Sequence, residues 1–173
     1  MLNVTPVDEP VYRCGTAEAD LIDLSTAAAR VQIAGLEGND TLRGGAGNDA
    51  LNSGAGADVI SGGADNDLIT GGLGIDRMYG GRGDDTFLIV RGDLNLSNNI
   101  DLIVDFQGAG VAGGDVIRFT GFGGGASLEQ AGTQGNTRVY EVYDAEGLNL
   151  GRLLVSAGGS AGAAVTADDY AFA

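Results

Sequence analysis

Large apolar residues recur at every ninth position through the middle of the chain, between residues 35 and 88. They occupy position eight of six consecutive nine-residue units: Leu42, Leu51, Ile60, Ile69, Met78 and Phe87. The six residues that open each unit are mostly small and rich in glycine, which favours tight loops. The last three residues predict a short strand, in which alternate side chains face opposite ways and position eight faces inward. One unit cannot bury that face alone, so the fixed period predicts the stacked turns of a solenoid.

The apolar column extends upstream of the periodic units. Leu24 and Ile33 continue the nine-residue spacing, although the loop before Ile33 lacks the glycine and the aspartate of the other loops. A degenerate turn of this kind is typical of a capping repeat. We therefore divide the chain into an amino-terminal segment with a capping turn (1–34), the repeats (35–88) and a carboxy-terminal part (89–173).

After residue 88 the period gives way to short apolar runs that are separated by glycine-rich turns. The runs lie at 87–90, 100–106, 116–119, 139–143 and 153–155. Their irregular spacing predicts further β-strands. We expect this part to form a β-rich cap over the open end of the solenoid, which would otherwise expose strand edges.

Position six of every unit is an aspartate, and this second column indicates a metal site. Its members are Asp40, Asp49, Asp58, Asp67, Asp76 and Asp85. Carboxylates in stacked loops repel one another unless a cation lies between them. Calcium suits that position, because it takes about six to eight oxygen ligands in flexible geometry, and glycine-rich loops can supply backbone carbonyls. Magnesium demands stricter geometry, and zinc prefers cysteine and histidine, whereas the chain has one Cys and no His.

The alternative is that the aspartates cap ordinary surface turns. Six consecutive copies in register argue against it, because chance turns do not keep a period. Three residues do depart from the common unit: Leu36 at position two, Ser53 at position one and Asp65 at position four.

The unit resembles the RTX, or haemolysin-type, calcium-binding nonapeptide, whose consensus is G-G-x-G-x-D-x-U-x with U a large apolar residue. The resemblance implies an all-β fold, a right-handed parallel β-roll with two units, about eighteen residues, per turn. Alternate loops would stack on the same edge, so that Asp58 lies between Asp40 and Asp76 on one edge. Asp67 would then lie between Asp49 and Asp85 on the other.

The predicted calcium ligands are the six aspartates together with positions one, three and four of each unit. These further positions are Gly35, Glu37, Gly38, Gly44, Ala46, Gly47, Ser53, Ala55, Gly56, Gly62, Ala64, Asp65, Gly71, Leu73, Gly74, Gly80, Arg82 and Gly83. Two stacks of three loops imply about four sandwiched Ca²⁺ sites. Residues 15–22 resemble one more unit displaced by two residues, which makes Asp20 a candidate ligand of a fifth site.

The charge of the chain restricts its partners. The formal net charge is −15, and the nine basic residues are all arginine. Nucleic acid and anionic membranes are therefore not expected as partners. The same charge predicts that the repeats stay open or disordered without metal, and that calcium binding and folding are one coupled event.

Several features predict a secreted protein. The first fifteen residues lack the basic and apolar segments of a Sec-type signal, and no apolar run approaches the roughly 20 residues of a membrane span. Families with this repeat commonly leave Gram-negative bacteria by type I secretion, and residues 168–173 resemble the acidic-then-apolar ending of such substrates. The resemblance implies the type I machinery as a partner and an extracellular or cell-surface location. A plain carboxy-terminal β-strand would look similar. Cys14 is the single thiol, so no internal disulfide can form.

The carboxy-terminal part carries a second resemblance. Residues 101–106 and 114–117 are similar to the segment that follows the repeats in serralysin proteases and in mannuronan C5-epimerase R-modules, while 137–152 are more similar to the R-modules. R-modules are non-catalytic, bind calcium and in several cases assist attachment to alginate. The resemblance implies an acidic polysaccharide as a partner. The candidate ligand-binding residues are Arg138, Tyr140, Tyr143 and Arg152.

Aromatic rings stack on sugars, and arginine pairs with uronate carboxylates. The alternative is that the tyrosines pack in the core of the cap and the arginines are solvated. The sequence thus leaves two functions open: a calcium-folded protein that attaches to polysaccharide, or a calcium-dependent folding and export module of a larger secreted enzyme.

We expect no catalytic activity from this chain. Residues 158–162 match the G-x-S-x-G pattern of a hydrolase nucleophile, but no histidine is present to act as its base. The lack of histidine also excludes the HExxH zinc site of a serralysin protease.

Overall fold

The computed structural model describes residues 10–94, 100–108, 114–157 and 165–173. Within these ranges the chain forms fifteen strands and no helix. The first nine strands are β1 (Val11–Cys14), β2 (Leu21–Ala27), β3 (Val31–Glu37), β4 (Thr41–Ala46), β5 (Ala50–Gly56), β6 (Val59–Ala64), β7 (Leu68–Gly74), β8 (Arg77–Arg82) and β9 (Thr86–Val90). The remaining six are β10 (Asp101–Phe106), β11 (Val116–Thr120), β12 (Ser127–Gln134), β13 (Thr137–Tyr143), β14 (Asn149–Ala157) and β15 (Tyr170–Phe172).

Successive strands of the repeats alternate between two sheets. The odd-numbered strands β1 to β11, followed by β15, form a seven-stranded sheet, and the even-numbered strands β2 to β10, followed by β14, β13 and β12, form an eight-stranded sheet. Neighbouring repeat strands are parallel and pair residues one turn apart, such as Leu51 with Ile69 and Ile60 with Met78. Each turn therefore contains two nine-residue units, one strand in each sheet, as predicted for a parallel β-roll.

The repeat strands are longer than the three residues predicted. Strand β5, for example, continues through the first four positions of the next unit. The glycine backbones of adjacent turns lie in register, as Gly54 does with Gly72. The hydrogen-bonded ladder therefore extends into the loop sequence, because glycine does not prevent parallel backbones from pairing.

The position-eight column forms the centre of the core, as predicted. All six side chains are at most 2% exposed, and Ile33 extends the column by pairing with Leu51. The placement of Leu24 in this column is wrong, since Ile22 pairs with Leu42 and occupies that position. The loop of Asp20 stacks on the loop of Asp40 with an offset of twenty residues, whereas the loop of Asp40 stacks on that of Asp58 with an offset of eighteen. The two additional residues move the inward-facing position of β2 by two.

The carboxy-terminal part first extends both sheets with parallel strands, and its last strands then form the edge of each sheet. Strand β10 pairs in parallel with β8, and β11 with β9, so the sheets run through the boundary predicted at residue 88. The five predicted apolar runs fall on strands, except for Ile100, which precedes β10, and β12 and β13 form an antiparallel hairpin at the edge of the eight-stranded sheet. The final strand, β15, pairs with β11, and Phe172 stacks on Phe119 with ring centroids 4.7 Å apart. A carboxy-terminal strand is thus present within the predicted secretion signal.

Two further features of the sequence are the G-x-S-x-G pattern and the absence of an apolar run long enough to span a membrane. Residues 158–162, with their G-x-S-x-G pattern, lie outside the described ranges. Across the ranges that are described, no helix is long and apolar enough to cross a membrane.

Candidate metal site

The six repeat aspartates form two buried columns, one at each edge of the roll. Each side chain is only 1–2% exposed. On one edge the backbone N–H of Asp40 donates to Oδ1 of Asp58 at 2.7 Å, and that of Asp58 donates to Oδ1 of Asp76 at 3.0 Å. On the other edge, the N–H of Asp49 donates to Asp67 at 2.8 Å, and that of Asp67 to Asp85 at 2.9 Å. The sequence predicted these two stacks.

The second carboxylate oxygen of each aspartate has no hydrogen-bond partner. All six Oδ2 atoms are buried, and none receives a proton from the protein. A buried oxygen without a partner costs about 1–3 kcal/mol, and more when it is charged. Because the same orphaned atom recurs in six successive units, the pattern indicates that a ligand from outside the chain binds along the two columns.

Glycine at position one leaves room beside these oxygens. A Cβ atom added to Gly44 would contact Oδ2 of Asp49 in the same unit and the carbonyl oxygen of Gly62 in the next turn. We refer to such a group, a position-one residue with the Oδ2 and the next-turn carbonyl oxygen beside it, as an oxygen cradle. Among the described residues, three cradles have glycine at their base and an unpaired Oδ2: Gly35 with Asp40 and the Ser53 carbonyl, Gly44 with Asp49 and the Gly62 carbonyl, and Gly62 with Asp67 and the Gly80 carbonyl.

Without a cation nearby, the buried carboxylates favour their protonated form. Burial, together with the neighbouring charges of Asp85 and Asp49, raises the pKa of Asp67 to about 8, against the hydrogen bond from the Asp49 N–H. Burial raises the pKa of Asp76 to about 6, and it also raises the pKa of Asp49, Asp58 and Asp85. A divalent cation would reverse this preference and stabilise the charged form.

The donor atoms of the cradles fit calcium. They are carboxylate and carbonyl oxygens, the ligands of a hard cation with flexible coordination. No three carboxylate, thiol or imidazole side chains come together in a metal-binding group within the described ranges. Backbone carbonyls would therefore have to complete each coordination shell, which calcium tolerates and zinc does not favour.

The other predicted backbone ligands divide by position. Position-four carbonyls form a column of their own, in which Gly38 O faces Gly56 and Gly56 O faces Gly74. Position-three residues are paired within the sheets, as Ala55 is with Leu73. The Ala55 carbonyl also accepts the Gly38 N–H at 2.9 Å. Positions one and six therefore line the cradles directly, position four lies beside the adjacent turn, and position three belongs to the strand ladder.

Comparison with known proteins agrees with this geometry. Residues 32–60 and 54–87 match the family model of the RTX calcium-binding nonapeptide repeat, which is described as four copies. The matched residues cover the six units up to Phe87, and most of the chain lies outside them. No curated protein sequence is significantly similar to the chain.

Two solved structures with similar chains are R-module subunits of the Azotobacter vinelandii mannuronan C5-epimerase. The AlgE6R2 subunit is 21% identical with a TM-score of 0.46, and the alignment covers 95% of this chain and 93% of that one. The AlgE6R3 subunit is 27% identical with a TM-score of 0.40, and the alignment covers 98% of this chain and 82% of that one.

The amino-terminal end of the RTX array differs from its middle. Asp20 stacks on the next loop as predicted, because its N–H donates to Oδ1 of Asp40 at 2.9 Å. Its own Oδ2, however, accepts hydrogen bonds from the N–H and the hydroxyl of Thr16, at 2.6 and 2.9 Å. Asp20 is therefore satisfied without a cation, in contrast to the six RTX aspartates.

At the other end the two columns continue beyond the RTX repeats, which the sequence analysis missed. Asp101 accepts the N–H of Asp76 and Asp115 accepts the N–H of Asp85, each at 3.0 Å, and both side chains are almost fully buried. Burial raises the pKa of Asp101 to about 7 and that of Asp115 to about 6. A short signal was present, since Ile103 and Ile117 follow these aspartates at the same spacing of two residues as in the repeats.

The four residues proposed to bind polysaccharide do not share one accessible surface, which corrects that prediction. Tyr140 is 2% exposed, and its hydroxyl accepts the Val165 N–H at 2.9 Å. Glu141, on the opposite face of β13, pairs with Arg152 at 2.8 Å and accepts a hydrogen bond from the Tyr143 hydroxyl. Strand alternation places Arg138 on the side of Tyr140, where it donates to the Gln130 side chain at 3.2 Å.

Proposed function

We propose that this protein is a non-catalytic calcium-binding module that folds into a β-roll as its cradles bind Ca²⁺. The observation that carries the proposal is the set of six buried, unpaired Oδ2 atoms. Three of them face a position-one glycine and a carbonyl oxygen of the next turn. A cation shared between turns would give these oxygens their missing partner and would join adjacent loops.

The charge of the chain supports coupling between binding and folding. Folding gathers six aspartates into two columns in a chain whose net charge is already −15. Each Ca²⁺ adds two positive charges at a column, where repulsion is strongest. Because the metal binds the folded state and not the open chain, its binding free energy becomes folding free energy.

Isothermal titration of metal-stripped protein with calcium, and separately with magnesium, tests this proposal. We expect binding of several Ca²⁺ ions and much weaker binding of Mg²⁺. Asp49→Ala should remove a calcium ion, whereas Asp84→Ala is the matched control, because Asp84 is an exposed aspartate of the same repeat edge. Equal calcium binding by both variants would contradict the proposal.

An extracellular location is a further part of the proposal. Calcium sites of extracellular modules bind at about 10⁻⁴–10⁻³ M, and an array whose folding needs such concentrations would remain open until export. Type I secretion fits a chain that must travel unfolded. Expression in a Gram-negative host with and without a type I exporter tests this point: protein in the medium only with the exporter is expected, and export that is independent of it would contradict the route.

Attachment to an acidic polysaccharide is the remaining part, and a groove on the seven-stranded sheet supports it. The groove has a volume of about 520 Å³, and its lining contains Tyr12, Gln32, Asn52, Thr70 and Arg13 but no acidic side chain. Tyr12 is 64% exposed, so its ring is available to a ligand. An aromatic ring beside amide and hydroxyl groups is a typical sugar-binding combination, and no carboxylate in the lining would repel a uronate.

A glycan screen with the calcium-loaded protein separates this function from the alternative. Retention on an acidic polysaccharide that Tyr12→Ala abolishes, and that Tyr143→Ala leaves intact, supports attachment through the groove. A blank screen from a protein that folds with calcium favours a folding and export module without a ligand of its own.

A further inference from the structure

Ser53 is the one position-one residue of the six RTX units that is not glycine. It is fully buried, and its Oγ donates a hydrogen bond to the carbonyl oxygen of Gly71, one turn later, at 2.7 Å. Gly71 is the position-one residue of that next turn on the same edge. The Ser53 side chain therefore lies in the cradle of Asp58, where the three open cradles have only glycine.

The cradles with glycine at position one show which space the Ser53 side chain fills. At Gly35, Gly44 and Gly62, an added Cβ atom would contact both the aspartate Oδ2 and the next-turn carbonyl oxygen. At Ser53 a real Cβ and a hydroxyl occupy that space. The hydroxyl donates to the Gly71 carbonyl and lies beside the Asp58 carboxylate, where its side-chain contact lowers the pKa of Asp58 against the larger effect of burial.

We propose that Ser53 takes the place of a calcium ion in the Asp58 cradle, so that this cradle is closed to metal. The inference rests on the proposed function, because it presumes that the glycine cradles bind Ca²⁺. The Ser53 hydroxyl uses one of the two lone pairs of the Gly71 carbonyl oxygen, which in the open cradles is free to face an ion. The serine side chain also fills the room that glycine leaves for the ion.

The two edges of the roll then have different roles. On the edge of Asp49, Asp67 and Asp85, position one is glycine in every unit, so the array is continuous. On the edge of Asp58 the array is interrupted at its centre. There the bond from Ser53 to Gly71 joins adjacent turns without metal, which provides one link that chelators cannot remove.

Counting the bound ions tests the inference. Native mass spectrometry and isothermal titration would be applied to the full chain, to Ser53→Gly, Ser53→Ala and to the reciprocal variant Gly62→Ser. We expect Ser53→Gly to bind one calcium ion more than the wild type. Ser53→Ala should bind the same number as the wild type, because a methyl group still fills the cradle, and Gly62→Ser should bind one fewer.

Each contrary result has a defined meaning. Loss of an ion in Ser53→Ala or in Ser53→Gly would show that the hydroxyl is a calcium ligand, and would overturn the inference. An unchanged count in Ser53→Gly, folded according to its circular dichroism, would overturn it as well. If Ser53→Gly fails to fold, Gly62→Ser decides, and a wild-type ion count in that variant overturns the inference. A wild-type chain that binds no calcium would refute the proposed function, and the inference with it.

Discussion

Replacing Asp67 by asparagine should stabilise the fold in the absence of calcium and weaken its response to calcium. Asp67 lies at the centre of the uninterrupted edge. Its Oδ1 accepts the Asp49 N–H at 2.8 Å, and its Oδ2 is buried without a partner. Asparagine has nearly the same shape, and its amide oxygen can keep the first hydrogen bond. What it removes is the negative charge that we assign to calcium.

The expected gain without metal follows from the pKa of Asp67. Burial raises that pKa to about 8, against 3.8 for an ordinary aspartate. At pH 7 the group is charged in the unfolded chain and must take up a proton on folding. At about 1.4 kcal/mol per pH unit over about three units, that uptake costs of the order of 4 kcal/mol, which Asp67→Asn avoids.

With calcium the gain shrinks. The variant loses a charged ligand, and losing one ion that is present at tenfold its dissociation constant costs about 1.4 kcal/mol. Loss of cooperativity along the edge adds to that figure. Asp67→Asn should therefore be more folded than the wild type in chelator, and calcium should raise its stability by less than it raises that of the wild type.

Far-ultraviolet circular dichroism combined with urea titration measures both states. Asp84→Asn is the control, because it removes the same charge from an exposed position. The control should shift both titrations slightly and in the same direction. If Asp67→Asn were destabilised equally with and without calcium, Asp67 would be a structural cap of its turn, and the reasoning about an orphaned ligand would be refuted.

Three further predictions concern pH, backbone strain and the core. In chelator, the folded pKa values of about 8 for Asp67 and about 7 for Asp101 mean that the metal-free fold binds more protons than the open chain. The β-structure should therefore increase as pH falls from about 8 toward 4, and it should be lost as pH rises. In calcium, acid should instead release the metal, and a circular dichroism signal that falls with acid in both conditions would contradict this. Leu36 has a positive φ of 88° and is 48% exposed. Leu36→Gly should therefore raise the free energy of unfolding by about 1 kcal/mol in urea titrations in calcium, and a loss of stability would show that its side-chain contacts outweigh the strain. Met78 is fully buried, and Met78→Ala should cost about 2–5 kcal/mol in the same assay, whereas a cost below 1 kcal/mol would indicate that the core can collapse around the site.

The repeats were predictable because each column of the unit has one physical task. Position eight must fill the core, position six must line an edge, and a strict period carries both down the chain. The stacking of Asp58 between Asp40 and Asp76 then followed from two units per turn. The role of position five was less evident: the Asn39 side chain accepts the Ala57 N–H of the next turn at 2.9 Å, which links the two loops.

The ends of the array were harder to predict because the period changes there. Two extra residues in the first turn put Ile22 in the place expected for Leu24. Longer excursions separate Asp101 and Asp115 from the preceding aspartates, at 25 and 30 residues instead of eighteen. A period search cannot detect such members, although the short spacing from aspartate to isoleucine remains. In the cap, strand alternation alone did not reveal that Tyr140 faces the core.

The role of Ser53 could not be predicted from the repeat consensus. In the sequence it is a small residue at a position where small residues are usual. The hydrogen bond from its hydroxyl to the Gly71 carbonyl becomes apparent only when two turns are stacked. Its effect on the site therefore depends on register between turns, which the unit by itself does not contain.

Calcium titration of the metal-stripped protein, followed by circular dichroism, tests the central claim most directly. Coupled binding and folding predict a weak β signal in chelator and a cooperative increase at about 10⁻⁴–10⁻³ M calcium. A chain that is fully folded in chelator, and whose signal and urea midpoint do not respond to calcium, would contradict the claim and leave the repeats as a metal-free scaffold.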